Sequence, residues 1–193
     1  MNFLAHILLS RDSEDLLIGN FIADFIRNKE VGDYSAEIQK GIHLHRLIDS
    51  FTDQHEQVRK GSRRLMKNHG KYAPVVIDIL YDNVLAANWS KYHGDSLDDF
   101  AVDTYEILQR RIMDLPLKLQ SRVPLMVADD FLIRYGTDEG LQYALSMMDR
   151  RTKFPSNFVL ASAQLKEEWE LFENEFNIFF PEVFEMAVDF CDS

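Results

Sequence analysis

Apolar residues recur along the chain at intervals of three and four, and almost no segment alternates, so the pattern predicts helices throughout. Ser13, followed by Glu14 and Asp15, supplies an N-cap and first-turn acids for a helix reaching about Arg27. Tyr34-Ser35 opens a second helix to about His55, and the basic segment after it forms a third that ends near His69-Gly70. Pro74 suits the first turn of a helix running to about Tyr92, and Ser96 starts one reaching roughly Met113. Pro116 and Pro124 bracket a region of weaker periodicity, after which Thr137 starts a helix to about Arg150. The last long helix is predicted from near Pro155 to just before Pro181, with a short helical tail beyond. Phe172, Phe176, Phe179, Phe180 and Phe184 keep helical spacing there and read as a core stripe. No Gly/Ser-rich linker, low-complexity tract or repeat interrupts the chain. Residues 1–193 are therefore expected to form a single all-α domain of about eight helices.

The same periodicity places ionisable groups where core residues belong. In GIHLHRLIDSFTDQH, residues 41–55, His45 and Asp49 continue a stripe begun by Ile38 and Ile42, and Asp53 extends it by a turn. His43 points nearly opposite His45, on the side of Arg46 and Leu47. In the Pro74 helix, Val75, Asp78, Asp82, Leu85, Ala86 and Trp89 share one face, and earlier Leu17, Phe21 and Asp24 align, with Asn20 one turn before Asp24. Three helices thus aim carboxylates inward. His6 stands alone among Phe3, Leu4, Ile7 and Leu8. A buried carboxylate is unfavourable unless it is ion-paired, hydrogen-bonded or metal-bound. Pairing with Arg27, Lys40 and Arg46, and a hydrogen-bonded core histidine at His6, would leave a helical scaffold without chemistry. Acids and histidines on facing helices also build carboxylate–imidazole metal sites. Oxygen and nitrogen donors without thiolate suit Mn²⁺, Mg²⁺ or Fe²⁺. No Walker A loop, dinucleotide glycine fingerprint, GxSxG or HExxH occurs.

Composition narrows the setting. An apolar fraction of 46% is ordinary for a globular chain, and one cysteine, Cys191, excludes an internal disulfide and favours a reducing compartment. The opening run MNFLAHILLS is too short to span a bilayer and lacks both a basic n-region and a cleavage site. A soluble cytoplasmic protein without membrane contact is expected. The net charge of −11 is unevenly spread: from Gln164 onward there are nine acids against Lys166 alone. In contrast Arg59, Lys60, Arg63, Arg64, Lys67 and Lys71 occupy a stretch with no acid, and Arg150, Arg151 and Lys153 form a smaller cluster. The long run is either a solvated helix face or a dock for an anionic partner. Bulk acidity argues against nucleic acid as that partner.

Four stretches in order resemble one family: MNFLAH, GNFIADFIR at 19–27, GIHLHRLIDSFTDQH at 41–55, and AP-x₃-DILYDN-x-LAANW at 73–89. They are similar to acyl carrier protein phosphodiesterases, also described as acyl carrier protein hydrolyases, a divergent branch of the HD phosphohydrolases. The likeness is dense over the first 90 residues and looser beyond. It implies an HD-domain-like all-α fold and a divalent cation, usually manganese. It also implies hydrolysis of the phosphodiester linking 4′-phosphopantetheine to a serine of holo-acyl carrier protein, leaving the apo carrier protein. Asp24 matches the ADF motif, His43, His45, Arg46, Asp49 and Asp53 match HxHRxIDxxTD, and Asp78 and Asp82 match the later DxxxD.

With the inward stripes, the resemblance leads us to expect a cation held by some of His6, Asp24, His45, Asp49 and Asp82. That cation would acidify a bound water and offset phosphodiester charge. Arg46 would brace a phosphate oxygen and His43 would protonate the departing serine oxygen, with Asp53 and Asp78 in the same catalytic set. Arg59, Lys60, Arg63, Arg64 and Lys67 become the expected dock for an acidic carrier protein. Two positions depart from the family pattern. There is no contiguous His-Asp pair, the nearest equivalent being His45 with Asp49, and Asn83 stands after Asp82 where a histidine is expected. The alternatives are an HD-like phosphohydrolase acting on a nucleotide or small phosphate ester, and a non-catalytic helical adaptor.

Overall fold

Side-chain caps set where the helices begin in the computed structural model, which describes residues 1–10, 13–150, 152–153 and 157–192. The opening apolar run forms α1 (Phe3–Leu8), whose first N–H is accepted by the side chain of Asn2. Ser13 Oγ accepts the Leu16 N–H at 3.3 Å at the start of α2 (Glu14–Ile22), and Ser35 Oγ accepts that of Ile38 at 3.3 Å at the start of α3 (Ala36–Gln54). The basic helix α4 (Glu56–His69) ends at Gly70, whose combination of φ 52° and ψ −131° only glycine adopts without strain. Then come α5 (Ala73–Ala87) and the Ser96-capped α6 (Leu97–Arg110). The bracketed region holds two short helices, α7 (Leu117–Gln120) and α8 (Val123–Ala128). Thr137 caps α9 (Asp138–Asp149), and the chain finishes with α10 (Val159–Glu167) and α11 (Trp169–Asp192).

The described residues therefore hold eleven α-helices and no strand, an all-α fold with more helices than the eight expected. Three expected helices are shorter in α form and finish in tighter 3₁₀ turns at Ala23–Phe25, Trp89–Lys91 and Ile112–Asp114. The expected start near Pro155 lies outside the described residues. The expected stop before Pro181 is corrected: the chain breaks at Glu168 instead, and Pro181 lies inside α11. Proline removes one helical hydrogen bond, yet Phe172, Phe176, Phe179 and Phe180 before it and Val183 and Ala187 after it are all buried in one core. That continuous packing carries the helix through.

Two contacts position the site. A Cβ on Gly19 would clash with the carbonyl oxygen of Ile38, and one on Gly41 with that of Leu16, so α2 and α3 touch backbone to backbone. The crossing brings Asn20 and the Ala23–Phe25 turn over His45. On the other side, α5 is buried on nearly every face through Val76, Ile77, Ile79, Leu80, Tyr81, Val84 and Leu85. It supports α1 from below. Among the described residues no helix is long and apolar enough to cross a membrane.

Candidate metal centre

Helices α1 and α3 bring two imidazoles face to face. The buried rings of His6 and His45 stack with centroids 4.0 Å apart and 17° between their planes. Asn20, fully buried on α2, anchors both. Its Nδ2 donates to the His6 carbonyl at 2.8 Å and to Ser10 Oγ at 3.0 Å, which turns its Oδ1 towards the rings. That oxygen lies 2.8 Å from His6 Nδ1 and 3.0 Å from His45 Nδ1, while the Asn20 backbone carbonyl lies 2.9 Å from His45 Nδ1. Amide and carbonyl oxygens only accept, so each Nδ1 carries a proton. The tautomer of a neutral ring is thereby set, with the Nε2 lone pair directed away from Asn20.

Those lone pairs meet carboxylates. His6 Nε2 lies 3.2 Å from Asp49 Oδ1, and His45 Nε2 lies 3.2 Å from Asp49 Oδ2 and 3.3 Å from Asp24 Oδ1. Both Nε2 atoms are buried without a hydrogen-bond partner. Buried imidazole lone pairs facing carboxylates are unfavourable unless a cation, either a proton or a metal ion, lies between them. A proton on His45 answers part of this: burial works against its charge, but Asp24 and Asp49 outweigh burial and raise it to about 9. His6 stays neutral, lowered to about 4 chiefly by burial. Asp49, in spite of burial, is held well below the usual carboxylate range by His45 and His6. Its neighbour across the mouth, Asp24, is also lowered, by His45.

A divalent ion fits this donor set. His6, His45 and Asp49 offer ligand atoms that all lie within 4.8 Å of one another, and Asp24 stands at the mouth. Asp24 is 72% exposed and Asp49 43%, so the cluster opens to solvent on the carboxylate side and is closed on the imidazole side. An open nitrogen–oxygen site of this kind suits a catalytic rather than a purely structural ion.

The family model for acyl carrier protein phosphodiesterase matches residues 1–183. The chain belongs to the acyl carrier protein phosphodiesterase family. Curated relatives with that name include one from Yersinia enterocolitica, 31% identical over 193 residues, covering 98% of each chain. Another, from Photorhabdus laumondii, is 30% identical over 97% of this chain and 95% of its own. A third, from Klebsiella pneumoniae, is 29% identical over 97% of each. No solved structure matches the chain.

Of the residues that resemblance to acyl carrier protein phosphodiesterases singled out, His6, Asp24, His45 and Asp49 converge. Asp82 does not join them. It is fully buried, and its oxygens accept the Leu4 N–H at 2.8 Å and the Asn2 N–H at 3.3 Å, so it holds the first turn of α1 and thereby places His6. Burial raises its carboxyl to about 7. Asp78, one turn earlier, pairs with the Met1 ammonium at 2.9 Å. His43 is exposed, two residues from His45 on the same helix, and so lies on a different face from the cluster. Arg46 is exposed, and its Nη2 donates to Asn28 Oδ1 at 2.8 Å. Asp53 is exposed one turn beyond Asp49.

Asn83, the departure from the phosphodiesterase pattern, donates from Nδ2 to the Tyr135 carbonyl at 2.6 Å. It fastens the Ile133–Gly136 turn to α5 rather than facing the cluster. The basic run divides. Arg64 is turned inward, bidentate on buried Glu175 at 2.8 and 2.7 Å, with Nε 2.8 Å from Glu168 and its guanidinium 4.3 Å over Phe172. Arg64 therefore leaves the expected dock. Arg59, Lys60, Arg63 and Lys67 are exposed. Arg59 and Arg63 line a cavity of about 350 Å³ together with Asp53 and Asp78.

The cations expected to neutralise the inward acids are engaged elsewhere. Arg27 bonds Glu30, Lys40 donates to the Cys191 carbonyl at 3.1 Å, and Arg46 bonds Asn28. Asn20 is the residue of this cluster that the sequence did not single out. Its signal was an uncharged polar group on an apolar helical face, one turn before Asp24.

Proposed function

We propose that the protein is a divalent-cation-dependent phosphodiester hydrolase that releases 4′-phosphopantetheine from holo-acyl carrier protein, leaving the apo carrier protein. The observation that carries this is the histidine pair, locked through Nδ1 by Asn20, whose buried Nε2 atoms meet Asp49 and Asp24. The substrate class follows from relatives named acyl carrier protein phosphodiesterase that match almost the whole chain. His6, His45, Asp49 and Asp24 would hold the ion, with manganese first and Mg²⁺ or Fe²⁺ suited to the same donors. When bound, such an ion offsets phosphodiester charge and makes a water nucleophilic near neutral pH.

The chain's own residues supply the rest. Asn20 keeps both rings in one tautomer and one orientation. Asp82 fixes α1, and with it His6, by accepting backbone N–H groups. Arg46, exposed and next to His45 in the chain, braces a non-bridging phosphate oxygen. Arg59, Lys60, Arg63 and Lys67 draw in the acidic carrier protein, and Asp53 and Asp78 share the Arg59–Arg63 cavity one helical turn from Asp49. A lone cysteine fits a reducing cytoplasmic setting.

The test is incubation of the purified protein with holo-acyl carrier protein and Mn²⁺, reading the carrier's mass. Loss of the phosphopantetheine arm, abolished by chelator, is the expected result. An unchanged mass with Mn²⁺, Mg²⁺ and Fe²⁺ alike defeats the proposal, and turnover of nucleotides in the same preparation would favour the small phosphate ester instead.

A further inference from the structure

Resting on that functional reading, we propose that the cavity between α1, α8 and α9 is the subsite that receives the pantetheine arm beyond the scissile phosphate. The cavity measures about 390 Å³, within the range that takes a small organic ligand. Its walls are mainly apolar, with Phe3, Phe25, Met126, Ala144 and Met147 among them, and Arg134 is one of the few charged groups present. Pantetheine has that same mixed character. It carries a gem-dimethyl group and methylenes for apolar walls, and two amides and a hydroxyl for a few polar partners. Methionine side chains, being flexible and polarisable, adapt to such a linear ligand.

Position supports the assignment more than composition does. Phe3 lies one turn before His6 on α1, about 5 Å along the helix axis. Phe25 follows Asp24 directly. The near wall of the cavity is thus built from neighbours of two proposed ion ligands, while Phe3 packs on Phe25 and Phe131 with ring centroids 6.3 and 5.7 Å away. The start of α1 also separates this cavity from the Arg59–Arg63 one. Asn2 and Phe3 line the apolar side, and the ammonium of Met1 meets Asp78 of the Arg59–Arg63 cavity. A holo carrier protein presents three parts to be met: acidic protein, phosphodiester, amphipathic arm. The protein offers exposed cations on α4, the helix after the one that carries Asp49, an ion site, and an apolar cavity whose wall includes neighbours of His6 and Asp24.

The experiment titrates the full chain, labelled at alanine and methionine methyls, with pantetheine, which lacks both phosphate and carrier protein. Saturable shifts at Met126, Ala144 and Met147 are expected, with inorganic phosphate leaving those methyls still. Absence of shifts there up to the solubility limit, or shifts confined to another surface, overturns the proposal. Ala144→Trp fills the cavity and should raise KM for the holo carrier protein about tenfold with a smaller change in kcat. A wild-type KM in a folded Ala144→Trp protein overturns it as well. Should the wild-type protein release no arm from holo carrier protein, the functional reading fails, and the pantetheine titration still reports on the cavity by itself.

Discussion

The amide of Asn20 does at the residue scale what no charged group could. It accepts from two imidazoles through one oxygen while its nitrogen is fixed by His6 and Ser10. Replacing it with alanine frees His6 Nδ1 entirely, whereas His45 keeps the backbone carbonyl of residue 20. Asn20→Ala should therefore weaken Mn²⁺ binding by roughly 10–100-fold, read by titration calorimetry, through a residue that never touches the ion. Unchanged affinity would show that the rings need no such anchor. Asp49→Ala removes both oxygens that face the two Nε2 atoms and should abolish measurable Mn²⁺ binding. The contrast explains what the sequence disclosed. Helical stripes and the family motifs identified His6, Asp24, His45 and Asp49 because each is ionisable and sits on an apolar face. They also pointed to Asp82, because periodicity says which face a carboxylate occupies and not what accepts or donates there. The backbone N–H groups of Asn2 and Leu4, 80 and 78 residues away, are invisible to it.

Elements hold these side chains together through two devices of different kinds. The first is the Gly19–Gly41 crossing, where backbone meets backbone. Gly41→Ala must push α2 from α3, and over-packing of this sort costs about 1–3 kcal/mol. Because Asn20 and His45 lie on the two helices, Mn²⁺ affinity should fall together with the thermal midpoint. A variant that lost stability but kept full affinity would separate crossing from site. The second device is the Arg64–Glu175 pair between α4 and α11. Removing Arg64 takes the bidentate partner from a carboxylate only 4% exposed and leaves it Lys60 at 4.0 Å, so the cost falls at or below the lower end of the roughly 3–5 kcal/mol for a broken buried pair. Arg64→Ala is expected to lower the urea midpoint with little direct effect on carrier-protein KM. Arg63→Glu should raise KM with little effect on stability. Equal behaviour of the two variants would mean that the basic run acts as one unit. In the sequence both arginines belonged to one acid-free run, since adjacent residues on a helix differ in face and only Glu175, 111 residues away, reveals which turns inward.

Across the whole molecule, caps and periodicity predicted α3, α4 and α9 within two residues of their observed ends, while the last helices, α10 and α11, departed from expectation. There a proline rule met a continuous phenylalanine core, and the core prevailed through Pro181. Local chemistry decides helix starts, whereas the persistence of a helix depends on what packs against it, which a single sequence does not display. The same distinction separates an ion site from a set of buried ion pairs, and one measurement decides it. A ligand that binds only the folded state at 100 times its dissociation constant stabilises by about 2.7 kcal/mol. For a chain near 200 residues each kcal/mol moves the midpoint by about 2–4 °C. Mn²⁺ at that level should thus raise the thermal midpoint by roughly 5–10 °C, chelator should reverse it, and Asp49→Ala should abolish it. A helical adaptor whose acids were satisfied by arginine and lysine would show no shift. The structure already engages Arg27, Lys40 and Arg46 elsewhere, which leaves His6 Nε2 and His45 Nε2 facing carboxylates with a proton as their sole substitute for a metal.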